Sequence, residues 1–224
     1  MTVSLYTAIE NQIKRAQSNI YTALPAKVIN FNGHTVSCQI MINRIIANGQ
    51  EITIPPLVDV PAQFPHAGGF CITVPIKAGD EGLVVFSSRC IDGWYISGQQ
   101  SKPLDNRIND LSDGFFIVGC NSVPNKIPDF YHNGASMQTD DGSTHIRLTK
   151  GIIYIKGNII HEGSTEQLGN YNQVGSYNQT GGNTVSSGTL KAENVITNKG
   201  VSLNTHVHNG VQKGNNNTGA PNEG

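Results

Sequence analysis

Apolar and polar positions alternate with three different periods along this chain, and each period predicts a different kind of structure. Between residues 4 and 24, Leu5, Ile9, Ile13, Ala16, Ile20 and Leu24 recur at spacings of three and four, which predicts one amphipathic helix. Ser4 can cap its start and Pro25 ends it. A single amphipathic helix ahead of a β region must bury its stripe against its own domain or against a partner chain.

From residue 26 to about 99 the period shortens to two. "KVINF" is followed by Asn32-Gly33, a strong hairpin signal. "HTVSCQIMINRI" then places Val36, Cys38, Ile40 and Ile42 on one face, and the turn "ANGQ" leads into "EITIPPLVDV". "GFCITVPI", the turn "KAGDEG", "LVVFSS" and "GWYIS" complete the run. Five or six short strands joined by Gly-rich turns predict a small closed barrel of the oligonucleotide/oligosaccharide-binding (OB) type, a label that names a fold and no ligand. Residues 100–135 are irregular, punctuated by Pro103, Pro124 and Pro128, with one expected strand at "FFIVG". Alternation returns after residue 136, where "STHIRL" sets Ile146 and Leu148 on one face and "GIIYIKGNIIHE" adds two apolar bursts.

The third period is six. Residues 163–182 read GSTEQL, GNYNQV, GSYNQT, GG, so Gly163, Gly169, Gly175 and Gly181 fall in register, as do Gln167, Gln173 and Gln179. The position after each glutamine runs Leu168, Val174, Thr180. One apolar side chain per unit cannot offset an ordering cost of about 1–2 kcal/mol per residue. Units this short are too small for a turn of a single-chain β-helix. Three chains winding about one axis, with glycine at the corners and apolar side chains inward, satisfy both constraints. Glu166 is the one carboxylate in the repeat, so such a shaft is held by backbone ladders and amide side chains.

Composition agrees. Apolar residues make up 37% and charged residues 14% of the 224, both low for a globular domain, which favours β structure and turns over helix bundles. A net charge of −1 without a basic block gives nucleic acid no electrostatic footprint. No apolar run reaches membrane-spanning length, and no secretory signal opens the sequence, so assembly in a cytoplasm is expected. Cys38, Cys71, Cys90 and Cys120 fit no CxxC pattern and are expected to be reduced, mostly packed thiols.

The chain closes on "NTHVHNGVQKGNNNTGAPNEG". In an extended strand His206 and His208 face the same side. One chain offers two imidazoles, and three chains on an axis offer two layers of three, an octahedral cage. Six imidazoles favour Fe²⁺, Co²⁺ or Ni²⁺ over tetrahedral Zn²⁺. Such a cage has no open position for water or substrate, so the metal would be a structural pin. Val201, Leu203 and Thr205 have the opposite parity to the histidines, so a bulge or turn near Asn204-Thr205 is required to aim both rings at the axis.

Two stretches carry a resemblance to a known family. Residues 52–94, "ITIPPLVDVPAQFPHAGGFCITVPIKAGDEGLVVFSSRCIDGW", and the tip "THVHNGVQKGNNNTGAPN" resemble the central spike proteins of contractile-tail bacteriophages and related bacteriocins. The resemblance implies a mainly β homotrimer: a helix over 1–24, an OB-type barrel over 25–100, an irregular connector over 101–135, a triple-stranded β-helix over 136–203 and a metal-pinned tip over 204–224. It implies that His206 and His208 of each chain hold one structural iron ion per trimer. It also implies a virion protein of the tail baseplate, assembled in the bacterial cytoplasm, attached to a baseplate hub protein and driven through the host outer membrane, with no small-molecule substrate and no catalysis.

Two other classes compete. A β-helix enzyme acting on polysaccharide needs paired carboxylates. Asp140-Asp141 is the best pair, yet "TDDGS" reads first as a turn. A non-haem iron site would add Glu162 or Glu193 to the histidines. A trimeric receptor-binding fibre would share the repeat but end in a bulky head, and only about sixteen residues follow His208.

Overall fold

The structure is a computed structural model that describes residues 4–46, 49–207, 210 and 214. The chain divides into two compact units, Met1–Ile160 and His161–Gly224.

Helix α1 spans Leu5–Ser18, with the Ser4 hydroxyl accepting the Thr7 N–H at 3.3 Å as its N-cap. It is shorter than the stripe predicts. Ile20 lies beyond the cap at Asn19, and Leu24 belongs to the next strand. The backbone of residues 23–27 pairs with a distant strand, and those ladder bonds outweigh a local helical period. No residue of α1 is buried.

The elements that follow are β1 Ala23–Phe31, β2 Thr35–Ile40, β3 Arg44–Ile45, β4 Glu51–Ile52, β5 Leu57–Gln63, β6 His66–Ala67, β7 Phe70–Cys71, β8 Glu81–Phe86, the helix α2 Asp92–Ser97 and β9 Gly114–Val118. Five of them close a barrel in the order β1-β2-β5-β9-β8. Four contacts around it are antiparallel, and the β5–β9 pair is parallel. The expected turn at Asn32-Gly33 starts it. The Asn32 side-chain oxygen accepts the N–H groups of His34 (2.9 Å) and Thr35 (2.7 Å), and Gly33 takes a φ of +97° that favours glycine. Inward positions of all five strands meet in one core, with Val36, Cys38, Val84 and Phe116 wholly buried. Phe116 fits because Gly82, which pairs with Val118, leaves room for its ring; a Cβ there would collide with that ring and with the Ile117 carbonyl.

Three expectations shift within this barrel. "GWYIS" is helix α2, not a strand: Gly98 supplies a left-handed C-cap at φ +65°, with its N–H on the Trp94 carbonyl at 2.7 Å. "GFCITVPI" pairs over Phe70–Cys71 alone. The fifth barrel strand is the expected "FFIVG" strand, drawn from the irregular stretch, so the barrel extends to Val118 instead of ending near residue 100. Of the cysteines, Cys38 and Cys90 are packed as expected, whereas Cys71 and Cys120 are exposed. Burial pushes the Cys38 thiol up to about 11, which keeps it unreactive.

Glu81, at the head of β8, ties the following segment to the barrel. It accepts the Ser122 N–H at 2.7 Å and the Asn125 side-chain amide at 2.6 Å, with Lys27 at 3.6 Å. The Ser122 bonds, ahead of Asn125 and Lys27, lower its carboxyl from 4.5 to about 2. A lowered folded-state value means that the contribution is fully present above the unfolded value and is lost as pH falls through about 2. Thermal melting between pH 4.5 and 2 is therefore expected to fall more steeply for the wild-type protein than for Glu81→Gln; parallel pH profiles would contradict this role.

Beyond the barrel, β10 Ala135–Gln138, β11 His145–Thr149 and β12 Ile152–Lys156 form a separate antiparallel meander. In the second unit the described residues form a single isolated bridge, Ile196 with Ser202, and no named strand.

Candidate functional site

The meander has two unlike faces. Its register pairs Ala135 with Leu148, Met137 with Ile146, Ile146 with Ile155 and Leu148 with Ile153, so these six side chains share one face. The five larger ones are between 43% and 64% exposed, which is far from the interior expected of such residues. The opposite face is partly covered within the chain. Arg147 lies 4.4 Å over the Tyr131 ring, donates to Asp129 Oδ2 at 2.8 Å and to Gln138 Oε1 at 3.1 Å. One face is thus an uncovered apolar surface, while on the other Arg147 finds partners in the chain and Ile152 and Tyr154 of β12 stay 52% and 47% exposed.

The six-residue repeat shows the same asymmetry. Each in-register glutamine spans a glycine corner. Gln167 Nε2 donates to the Asn170 carbonyl (2.7 Å), Gln173 to Ser176 (2.8 Å) and Gln179 to Gly181 (3.1 Å). Tyr171 and Tyr177 hydroxyls donate to Oε1 of Gln173 and Gln179 at 2.9 and 3.4 Å. Periodicity in glutamine is thereby explained as a corner latch made inside each chain. The apolar position is left bare: Leu168 is 94% exposed and Val174 fully so.

At the tip, residues 195–203 form a small hairpin. Thr197 N–H meets the Val201 carbonyl and Leu203 N–H the Val195 carbonyl, both at 2.9 Å. Residues 203–205 then turn, and the His206 N–H returns to the Ser202 carbonyl at 3.0 Å. This is the reversal that the parity of Leu203 and the histidines requires. His206 Nδ1 lies 3.2 Å from the Ser202 carbonyl and 3.1 Å from that of Leu203. A carbonyl only accepts, so Nδ1–H is the donor in these contacts. Backbone orientation of one nitrogen is how a metal-ligating imidazole is fixed. His208, the second expected ligand, lies outside the described residues.

Other sequence candidates resolve differently. Asp141 accepts from the Thr139 hydroxyl (2.6 Å) and the Ser143 N–H (3.0 Å), bonds that hold its carboxyl at about 2. It is the turn-forming aspartate that "TDDGS" suggests, and a carboxyl held that low is a poor proton donor at neutral pH. Asn204 Nδ2 donates to the Glu193 backbone carbonyl at 2.5 Å; the Glu193 carboxylate is not part of that contact.

One cluster was not visible in the sequence. Cys90, Asp92 and Asp113 bring their ligand atoms within 4.8 Å of one another, a spacing compatible with a metal ion. A guanidinium already serves these carboxylates. Arg107 Nε donates to Asp113 Oδ2 (2.7 Å), and its Nη2 donates to Asp113 Oδ1 (3.0 Å) and to Asp92 Oδ2 (2.7 Å). Asp113, wholly buried, also accepts the Ile91 N–H at 2.9 Å. Bonds to Asp113 and then Asp92 raise the Arg107 pKa, and the Arg107 bond lowers that of Asp92. The cluster reads as a part-buried ion network that locks the 101–113 segment onto the barrel.

Comparison with known families follows the same division. Residues 24–119, which hold the barrel, match the family described as phage protein Gp138 N-terminal domain. Residues 200–222, which hold both tip histidines, match the GpV Apex motif. No curated protein matches the chain. An apex motif of this kind fits a metal-pinned tip. A barrel of the first type and an apex of the second on one chain identify it as a phage central spike protein, a component of the virion tail.

Proposed function

We propose that three copies of this chain form the needle of a contractile tail baseplate, which is pushed through the host outer membrane when the tail contracts. The observation that carries the reading is the uncovered apolar face of the β10–β11–β12 meander. Three such faces turned toward a common axis bury one another, and closed cyclic symmetry leaves no open end to propagate. Burying a large aliphatic side chain contributes roughly 1.5–3 kcal/mol, so three copies of this face supply a sizeable driving force. The bare Leu168 and Val174 of the repeat would be covered in the same way, by three chains winding as a triple-stranded β-helix. The barrel would attach to the hub protein of the baseplate.

At the point, His206 and His208 of each chain would hold one structural iron ion. Two imidazoles in an H-x-H spacing suit such a group, and the backbone carbonyls at His206 Nδ1 are the kind of contact that orients a ligating ring. Iron would supply only coordination, joining three chain ends. No helix among the described residues is long and apolar enough to cross a membrane, so entry needs external force and a tip that does not fray.

His206→Ala combined with His208→Ala is expected to abolish bound iron, measured by elemental analysis, while circular dichroism of the barrel is unchanged. Full iron content in the double variant would place the metal elsewhere.

A further inference from the structure

Helix α1 carries an apolar seam that no other described residue covers. Leu5, Tyr6, Ile9 and Ile13 are each more than half exposed, and no residue of the helix is buried. A lone helix of 14 residues is marginal in water, so this one needs a partner to persist. Within it, Tyr6, Ile9, Ile13 and Ala16 follow spacings of three, four and three, the a/d register of a coiled coil. We infer that α1 packs in parallel against the same helix of two other copies, so that a short three-helix coiled coil stands at the barrel end of the spike. This rests on the trimer proposed above and names a second, helical zone of association within it.

Charge favours copies of this chain over other occupants. Glu10 is paired with Lys14 in its own helix at 2.8 Å, and with Arg15 these are the only charges on it. Across a parallel seam the flanking position before one heptad faces the flanking position after it on the neighbour. Here that juxtaposes Leu5 with Glu10 and Gln12 with Gln17, so no like charges meet. An anionic membrane or an acidic protein would require a basic face, and Lys14 is already neutralised by Glu10. Residues 19–22 alone separate α1 from β1, so barrels gathered on an axis hold their helices at high effective concentration.

Full-length Ile13→Cys, with the cysteine in the seam, and Asn11→Cys, with it on the outer side, separate the alternatives after mild oxidation. Exposed Cys71 and Cys120 set the wild-type background. The seam variant is expected to give disulfide-linked chain pairs roughly tenfold above wild type and above Asn11→Cys, as intramolecular proximity dictates. Equal cross-linking of the two variants in a particle of three-chain mass overturns the coiled coil and leaves the spike reading standing; such a result would mean that α1 lies apart or on another baseplate protein. A wild-type chain that is not trimeric overturns both. As a second readout, Ile9→Asp with Ile13→Asp is expected to lose the helical circular dichroism of α1 while three-chain mass is kept. Retained helicity would overturn the inference.

Discussion

Ile146→Asp combined with Ile153→Asp is expected to dissociate the spike into single 24.0 kDa chains while the barrel stays folded. Both side chains lie on the uncovered face of the meander, Ile146 on β11 and Ile153 on β12, and both are solvent-exposed in the isolated chain. The substitution therefore costs an isolated chain little. In a threefold particle it places six carboxylates around one axis without cationic partners. Removing a charge from water costs several kcal/mol per ion, and the carboxylates also repel one another. Sedimentation or light scattering reads the outcome directly. A double variant that keeps both the wild-type mass and the wild-type melting temperature would show that this face is not where the chains meet.

The second large effect is on the barrel itself. Arg107→Met removes the cation that faces Asp113, which is wholly buried, and Asp92. Breaking a buried pair by deleting one partner costs about 3–5 kcal/mol, because the other charge stays buried and unpaired. Arg107 is itself 23% exposed, so the lower end, about 3 kcal/mol, is the appropriate expectation. For a domain of this size that corresponds to a fall in Tm of roughly 10–20 °C. Arg107→Met with Asp113→Asn should recover part of the loss, since the stranded charge is then gone. A single variant that melts like the wild type would mean that water or another group solvates Asp113.

What the sequence could reveal depended on whether a signal was local and periodic. Alternation placed Val36, Cys38, Ile40 and Ile42 on one face; the first three are buried, whereas Ile42 lies beyond the end of β2 and is 52% exposed. The glycine–glutamine register exposed the repeat, although the reason for glutamine appears only in the bonds across each corner. The turn after Leu203 followed from parity alone. Other features had no such mark. The stripe from Leu5 to Leu24 ran past the end of α1 because a three-four spacing continues by chance into residues claimed by strand pairing. "GWYIS" is too short for its period to separate helix from strand, and the deciding signal was Gly98. Arg107 and Asp113 sit six apart in an irregular stretch, where no spacing rule announces a part-buried ion network. The tip was legible as a motif, and of its two histidines His206 is seen with Nδ1 against the Ser202 and Leu203 carbonyls.

In the proposed spike, three chains share one axis and one metal. Native mass spectrometry of the full-length protein, prepared with iron present, tests both parts in a single spectrum. The expected result is a species of three 24.0 kDa chains carrying one iron atom. A single chain or a dimer, a trimer without metal, or one metal for each chain would contradict it.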